Sequence, residues 1–193
     1  MKQFITFTLS LILVISLVAG CGSTNKNETT AAPEAALPGS ALEILETVWG
    51  SYGEDEKFSI MGGNMENAVM DAPGTYDLTY AENLTYNLLV PTDRIGDVDE
   101  VASMIHAMNA NTFTCGAFHM AEGVSAREFA GAMQEAVRGN MWMCGFPERL
   151  VIATVGSEYV IMAFGVNDAM TPYYAHLTEN YAGAEIFCDE PIA

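Results

Sequence analysis

The first twenty residues are the feature that most limits what this 193-residue chain can fold into. Lys2 stands before an apolar run that ends in an alanine–glycine pair, directly ahead of Cys21. A charged start, an apolar segment near the lower limit for a membrane span and small residues at its end are typical of an export signal. The sequence therefore predicts that residues 1–20 are a signal peptide and that residues 21–193 fold outside the cytoplasm.

The four residues that end at Cys21, Val-Ala-Gly-Cys, resemble the lipobox of bacterial lipoproteins. In that class the cysteine thiol is alkylated with diacylglycerol, acyl chains such as palmitate hold the protein, and the cysteine becomes the mature N-terminus. Two or three acyl chains hold a protein firmly at a membrane, whereas a single chain binds only marginally. The resemblance implies a lipid-anchored protein at the extracytoplasmic face of the cell membrane.

The segment that follows the lipobox is predicted to be a tether. Residues 21–40 contain two prolines and almost no large apolar side chain, so they cannot offset the entropy of ordering. We expect a lipidated N-terminus and a disordered linker here. Residues 41–193 have the length of one domain and show no internal repeat, so they are predicted to form a single globular domain.

The charge of the chain excludes one class of partner. It carries 25 acidic residues against 7 lysines and arginines, a formal net charge of −18. Too few cations are present to neutralise a phosphate backbone, so we expect no binding to nucleic acid. Anionic membrane surfaces also repel an acidic domain, which leaves the lipid on Cys21 as the expected contact with the membrane.

Capping residues and apolar spacing predict three helices. Ser40 with Glu43, and Ser125 with Glu128, form the capping-box pattern that begins a helix. Apolar residues then recur at helical spacing, and Phe129 is expected on the buried stripe of the second helix. The predicted helices cover residues 41–52, 125–138 and 168–180.

Short runs rich in apolar, β-branched and aromatic residues predict strands between these helices. Residues 98–108 fit both a helix and a strand, and residues 109–111 are a predicted turn. The Gly-Ser-Glu sequence at 156–158 indicates a hairpin. Residues 54–75 are predicted to be a loop with one short helix at 64–70. The other predicted strands are residues 112–120, 150–155, 159–164 and 184–188.

The predicted order of elements is an N-terminal helix and then strand-strand-helix-strand-strand-helix. It predicts an α+β fold with a small antiparallel sheet and with the helices packed on one face. Over residues 95–180, a turn at Asn109, an alternating strand, a helix and an apolar hairpin resemble an uncharacterised domain family of clostridial, lipobox-bearing surface lipoproteins. The resemblance favours a strand over residues 98–108 and supplies no catalytic residues.

The loop between the second helix and the hairpin is the candidate contact site. It carries Trp142, Met143, Phe146 and Pro147, where members of that family have an aromatic and proline-containing loop. Such side chains fit the lip of a site for an apolar ligand or a peptide; the alternative is a loop that plugs the end of the core. We expect a non-enzymatic domain without a cofactor, which binds an unknown protein, peptide or amphipathic small molecule.

Sulfur and imidazole ligands favour a second hypothesis, a soft-metal site. Met104, His106 and Met108 share one face if their segment is a strand, and Cys144 lies in the candidate loop. Thioether, imidazole and thiolate are ligands that suit copper(I). Methionine also fills irregular cores, and no closely spaced pair of cysteines or histidines is present, so we expect these side chains to hold no metal.

The same alternative includes a thiol-dependent enzyme, whose candidate residues are His106, Cys115, His119 and Cys144. No local nucleophile signature supports it. Cys115 and His119 are four residues apart, about 13 Å along a strand. Cys188 makes the cysteine count after Cys21 odd, so at most one internal disulfide forms, and the pairing stays open.

Overall fold

The computed structural model describes residues 37–192, so Cys21, the predicted signal peptide and most of the predicted linker lie outside the described residues. The α-helices are α1 (Ala41–Gly50), α2 (Asn83–Leu88), α3 (Ala126–Gly139) and α4 (Asn167–Asn180), and short 3₁₀ helices span Met65–Asn67, Leu78–Tyr80 and Thr92–Asp97. The strands are β1 (Ile60–Gly62), β2 (Val69–Met70), β3 (Gly74–Thr75), β4 (Val98–His106), β5 (Phe113–Met120), β6 (Arg149–Val155), β7 (Tyr159–Gly165) and β8 (Glu185–Pro191). Within residues 37–192, no helix is long and apolar enough to cross a membrane.

The strands form one eight-stranded sheet in the order β2-β1-β4-β5-β7-β6-β8, with β3 paired to β4. All of these pairings are antiparallel. The prediction of an α+β fold with an antiparallel sheet is confirmed. Residues 98–106 form β4, which pairs with β5 along its length, so the strand interpretation of residues 98–108 is confirmed and the helical one is wrong.

The prediction that the helices pack on one face of the sheet is wrong, because helices cover both faces. α1 and α4 enclose one core, which includes Tyr173 of α4, and α2 and α3 enclose a second, which includes Phe129 of α3. Successive residues of β6 enter different cores, Val151 the first and Ile152 the second. Residues 150–153 of β6 and 159–164 of β7 are continuous apolar runs without polar alternation, as a strand buried on both faces requires.

Residues 54–75 were predicted to be a loop with a short helix at 64–70. A 3₁₀ helix at Met65–Asn67 lies within that range, but the segment also supplies β1, β2 and β3, which were not predicted. These strands have two or three residues each, too few for a period to be recognised. β1 and β3 approach so closely that a Cβ atom on Gly62 would lie 2.1 Å from the backbone nitrogen of Gly74. Glycine permits this approach, although it is depleted in strands.

The starts of α1 and α3 confirm the predicted caps. Ser40 Oγ accepts a hydrogen bond from the Glu43 N–H at 3.0 Å, and Ser125 Oγ accepts one from the Glu128 N–H at 3.3 Å. Phe129 is fully buried, as predicted. α1 ends before its predicted limit, and β8 extends beyond its own.

The two ends of the sheet are used differently. The described chain starts at Leu37, whose Cδ2 lies 2.5 Å from the position of a Cβ added to Gly156, in the β6–β7 turn; we call this the entry end. The opposite, distal end carries the β4–β5 turn (residues 107–112, the asparagine turn) and the loop before β6 (residues 141–147, the candidate loop). β4 has nine residues, so about 30 Å of strand separates the two ends.

Candidate functional site

Two asparagines of the asparagine turn hold the candidate loop in place. Asn109 Nδ2 donates a hydrogen bond to the carbonyl oxygen of Cys144 at 2.9 Å. Asn111 Nδ2 donates to the carbonyl oxygens of Met143 and Gly145, each at 2.9 Å. The predicted turn is therefore also the scaffold of the candidate loop, a role that its sequence alone did not indicate.

The candidate loop has a left-handed backbone at its centre. Cys144 has a φ angle of 62° and Gly145 one of 129°. The left-handed conformation costs a residue with a Cβ atom about 1–2 kcal/mol, and each asparagine hydrogen bond contributes about 0.5–1.5 kcal/mol in return. The three hydrogen bonds thus offset the cost and give the loop one defined shape.

The four residues predicted at the contact site divide into two pairs. Trp142 is half-buried, with its ring centroid 5.1 Å from that of Phe164 at the end of β7, and Pro147 is buried. Met143 and Phe146 are exposed to solvent. The candidate loop therefore combines the two alternatives: its first aromatic residue and its proline cover the end of the core, while the other two side chains form a surface.

Six of the ten exposed large apolar side chains of the described residues lie at or next to the distal end. We call them the apolar rim, and each is between 72% and 88% exposed. The asparagine turn joins its two parts, because it carries one rim methionine and hydrogen-bonds the candidate loop that carries three more members. Exposed apolar surface of this kind marks an interaction site more often than scattered single residues do. The apolar rim consists of Met65, Tyr86, Met108, Met141, Met143 and Phe146.

A cavity of about 260 Å³ lies in the part of the apolar rim nearest α2. Met65, Tyr86 and Met108 line it, together with Met61 of β1 and Asn109. Sites for small molecules usually measure about 300–1,000 Å³, so this cavity suits a single large side chain of a partner better than a whole small ligand. Met65 and Tyr86 are far from the candidate loop in sequence, which is why sequence analysis did not find them.

Larger cavities lie outside the apolar rim. One of about 490 Å³ adjoins the start of α3 at the entry end and is lined in part by Arg127, Glu185 and Phe187. Its arginine is already paired, with Nη1 3.1 Å from the Glu185 carboxylate and its guanidinium over the Phe187 ring. The cation that could orient a ligand is therefore engaged within the protein.

The structure does not gather the candidate soft-metal ligands into one set. Met104 is fully buried in the core beneath α1 and α4, whereas Met108 lies beyond the end of β4 and is 86% exposed. Cys144 is exposed in the candidate loop. Within residues 37–192, no group of three or more histidine, cysteine, aspartate or glutamate side chains has the arrangement of a metal site.

The hydrogen bonds of His106 bear on the same hypothesis. Its Nδ1 accepts from the backbone N–H groups of Met108 and Asn109, both at 3.2 Å, so Nδ1 carries a lone pair. The neutral ring then has its proton on Nε2, which makes that atom a donor rather than a metal ligand. The ring also stacks on Phe58, with 5.5 Å between the centroids.

The candidate thiols and imidazoles for catalysis are held apart. Cys115 is fully buried, its Sγ donates a hydrogen bond to the Tyr173 hydroxyl at 3.3 Å, and burial raises its pKa to about 12. A thiol with that pKa is not a nucleophile at neutral pH. His119 lies at the entry end and binds Asp99. Among the described residues, Cys115, Cys144 and Cys188 are all free cysteines.

One group of side chains resembles a serine–histidine–carboxylate triad, and the sequence did not indicate it. His176 of α4 lies between Ser51, whose Oγ is 3.0 Å from Nδ1, and Glu56, whose Oε2 is 3.3 Å from Nε2. The Ser51 hydroxyl, however, donates to the Val48 carbonyl oxygen at 2.7 Å, so its oxygen accepts from the imidazole. Ser51 also follows the C-terminus of α1, where the helix dipole opposes an alkoxide. The group closes the end of α1 and does not form a nucleophile.

The entry end is acidic. The side chain of Tyr159 lies there near Glu43, Asp99, Glu100 and Glu158. The pKa of Tyr159 is raised, mainly by burial and to a smaller extent by these carboxylates. Carboxylates near one another keep an exposed surface solvated. The acidic entry end and the apolar distal end are therefore chemically distinct surfaces of the same sheet.

Comparisons with protein families, with curated proteins and with solved structures found no match to this chain. The function is accordingly derived from the residues and the geometry described above. Among the surfaces described, the apolar rim differs most in its chemistry from the rest of the acidic domain.

Proposed function

We propose that this chain is a lipoprotein of the extracytoplasmic face of the cell membrane, anchored through Cys21, whose domain binds a partner at the apolar rim without catalysing a reaction. The partner is a protein, a peptide or an amphipathic molecule with an apolar surface. The anchor rests on the sequence around Cys21. The binding function rests on the distal end of the sheet.

The exposure of the apolar rim is the observation that carries the binding proposal. Six large apolar side chains face solvent at one end of the domain. Asn109 and Asn111 stabilise that arrangement by fixing the loop that presents three of them. Burial of a large apolar side chain contributes roughly 1.5–3 kcal/mol, and each rim side chain left in water lacks this stabilisation. A partner that covers the rim recovers this free energy.

The geometry of the thiols and histidines favours binding over catalysis. Cys115 and His119 lie in different surroundings, one in the core and one at the acidic surface. The Ser51 hydroxyl is directed to a backbone carbonyl rather than to the imidazole of His176. In each case the reactive group already has a structural partner.

The anchor is tested by replacing Cys21 with serine in cells that express the full chain. We expect the variant to leave the membrane fraction or to accumulate as an unprocessed precursor, because serine cannot form the thioether to diacylglycerol. Cys144→Ser, an exposed cysteine in the domain, is the matched control and should remain in the membrane fraction. A processed Cys21→Ser chain that stays in the membrane fraction would refute the anchor.

The binding surface is tested with a neutral apolar dye such as Nile red, whose fluorescence rises in apolar surroundings. The Met143→Ser, Phe146→Ser double variant should bind the dye at least about tenfold more weakly, because it removes roughly 1.4 kcal/mol or more of apolar contact. Leu37→Ser, an exposed apolar residue at the entry end, is the control and should bind normally. Equal binding by both variants would show that the rim is not a contact surface.

A further inference from the structure

We propose that the partner of the apolar rim is a cationic amphipathic helix, whose apolar face packs on the rim while its basic face meets the surrounding carboxylates. This inference rests on the proposed binding function and names the class of partner. Its support comes from three features: the pairing of charges, the position of the rim relative to the sheet edges, and the kind of side chains that form it.

The lysines and arginines of the described domain all have carboxylate partners, but most of its carboxylates have no lysine or arginine partner. Each lysine and arginine within residues 37–192 forms an ion pair with a carboxylate: Lys57 with Glu54, Arg94 with Asp97, Arg127 with Glu185, Arg138 with Glu190 and Arg149 with Asp189. The chain has a formal net charge of −18. The excess carboxylates therefore have no lysine or arginine partner within the described residues, and the complementary partner is cationic.

Some of the unpaired carboxylates border the apolar rim. Glu66 follows the rim residue Met65, and Glu148 stands two residues after Phe146. Asp71 closes the short strand β2, next to the exposed Met70. All three carboxylates are exposed, and within residues 37–192 none pairs with a lysine or arginine. A partner on the rim thus meets negative charge at its border.

The position of most of the rim favours recognition by side-chain packing over recognition by strand addition. A peptide that adds a strand must pair with a lateral edge of the sheet, and the edge strands are β2, β3 and β8. Four of the six rim residues lie instead in the asparagine turn and the candidate loop, at the ends of the long strands. A peptide there is held by side-chain packing, which is how an amphipathic helix binds.

The side chains of the rim favour a helix of variable sequence. Four of its members are methionines, whose flexible and polarisable side chains adapt to partners of different shape. The 260 Å³ cavity beside Met65, Tyr86 and Met108 accepts one anchoring side chain. Met143 and Phe146, on the other side of the asparagine turn, then contact the next apolar residues along the same face of the helix.

The charge also argues against a lipid surface as the occupant of the rim. Anionic headgroups repel a domain of this charge, whereas a cationic helix is attracted to it. Steering of this kind raises association rates by about 10–10³-fold at low salt and weakens as salt is added. Salt dependence is therefore a signature of the proposed partner.

The experiment uses the chain from residue 21 with Cys21→Ser and three synthetic peptides. The first is a helical peptide with leucines on one face and lysines on the other; the second replaces the lysines with glutamine; the third keeps composition and charge but scrambles the apolar face. We expect the first peptide to bind at least about tenfold more tightly than either other peptide at low salt, and to lose that advantage over the glutamine peptide at 1 M salt.

Substitutions in the rim connect this binding to the site. Met108→Ser with Phe146→Ser should weaken binding of the lysine peptide about 30-fold or more, the scale of an interface hot spot. Leu37→Ser should bind normally, and circular dichroism should show all variants folded. Glu66→Gln with Glu148→Gln should weaken the lysine peptide and leave the glutamine peptide unchanged.

The possible outcomes separate this inference from the function on which it rests. If the glutamine peptide binds as tightly as the lysine peptide and depends on the rim, the inference is wrong and the apolar contact surface stands. If the scrambled peptide binds as well as the first, the attraction is purely electrostatic and the helix is refuted. If the rim substitutions change the binding of no peptide, the rim is not the site, and both proposals fall. Tight binding of the rim to anionic vesicles would assign it to lipid instead.

Discussion

The distal and entry ends of one sheet present opposite chemistry. At the distal end, large apolar side chains face solvent, and the amides of Asn109 and Asn111 are directed to backbone carbonyls. At the entry end, carboxylates such as Glu100 and Glu158 surround Tyr159. The same strands run through both ends, so the difference arises in the turns and loops and not in the sheet.

The comparison distinguishes surface side chains that folding and solubility explain from surface side chains that they do not explain. Carboxylates at the entry end meet the ordinary requirement of a solvated surface. Nothing in the packing requires Met143 or Phe146 to face solvent, because Trp142 and Pro147 already cover that end of the core. An apolar surface that is not needed for folding is the stronger indication of function.

The largest expected effect separates a thiol of the distal surface from one of the core. With iodoacetamide at pH 8, the exposed Cys144 should be alkylated readily. Cys115 should react at least about a thousandfold more slowly, because burial raises its pKa from 9.0 to about 12. Mass spectrometry of the peptides over time measures both rates.

The same shift has a consequence for stability at high pH. A raised pKa in the folded state contributes stability that is present below the unfolded pKa of about 9 and is lost as pH rises towards 12.

Similar alkylation rates for Cys115 and Cys144 at pH 8 would contradict the first of these predictions. They would mean that α1 and α4 do not close the core over β5.

Trp142→Ala is expected to cost about 2 kcal/mol of unfolding free energy, less than a fully buried tryptophan because this one is half-buried on Phe164. Phe146→Ser, an exposed neighbour in the same loop, should cost under about 0.5 kcal/mol. Urea denaturation measures both values. Equal losses would contradict the division of the candidate loop into a cover and a surface.

Asn111→Ala should cost about 1 kcal/mol or somewhat more, since it removes two hydrogen bonds to backbone carbonyls. Asn167→Ala is the matched control at the same end, because within the described residues the Asn167 side chain makes no hydrogen bond. Thermal unfolding compares the two variants. If Asn111→Ala is no worse than its control, the asparagine turn does not hold the candidate loop.

The smallest effect concerns the entry end. Glu158→Gln should lower the pKa of Tyr159 towards its ordinary value without reaching it, because burial is the larger cause of the shift. The raised pKa favours the neutral phenol in the folded state, so its contribution to stability is present below pH 10 and lost as pH rises through the folded pKa. A titration of the wild-type and variant proteins followed by NMR of labelled tyrosine tests this. An unchanged pKa would mean that Glu158 does not act on Tyr159.

Sequence reasoning succeeded where the controlling interactions are local. The caps at Ser40 and Ser125 are set by residues three positions apart, and both helices begin as predicted. The residues of segment 98–108 fitted both a helix and a strand, and only the resemblance favoured the strand. The structure shows that pairing with β5 makes this segment a strand. Both faces of β6 are apolar, and this pattern could have indicated helices on both sides.

The candidate site was predicted only in part, since it depends on contacts between distant segments. The loop containing Trp142 and Phe146 is recognisable by its composition. Its division into buried and exposed side chains depends on Asn109 and Asn111, more than thirty residues earlier. Met65 joins the same surface from a segment whose strands are too short to show a period.

The contact of Leu37 with Gly156 has a mechanical consequence. The contact places Leu37 at the entry end, so a pull on the N-terminus would enter the domain at that end, while a partner held at Phe146 would pull from the opposite end. The load then runs along the strands, so that the hydrogen bonds between β5, β6 and β7 resist it together rather than opening one after another. On the proposed function, tension between the membrane and the partner is thus carried along the strands of the sheet.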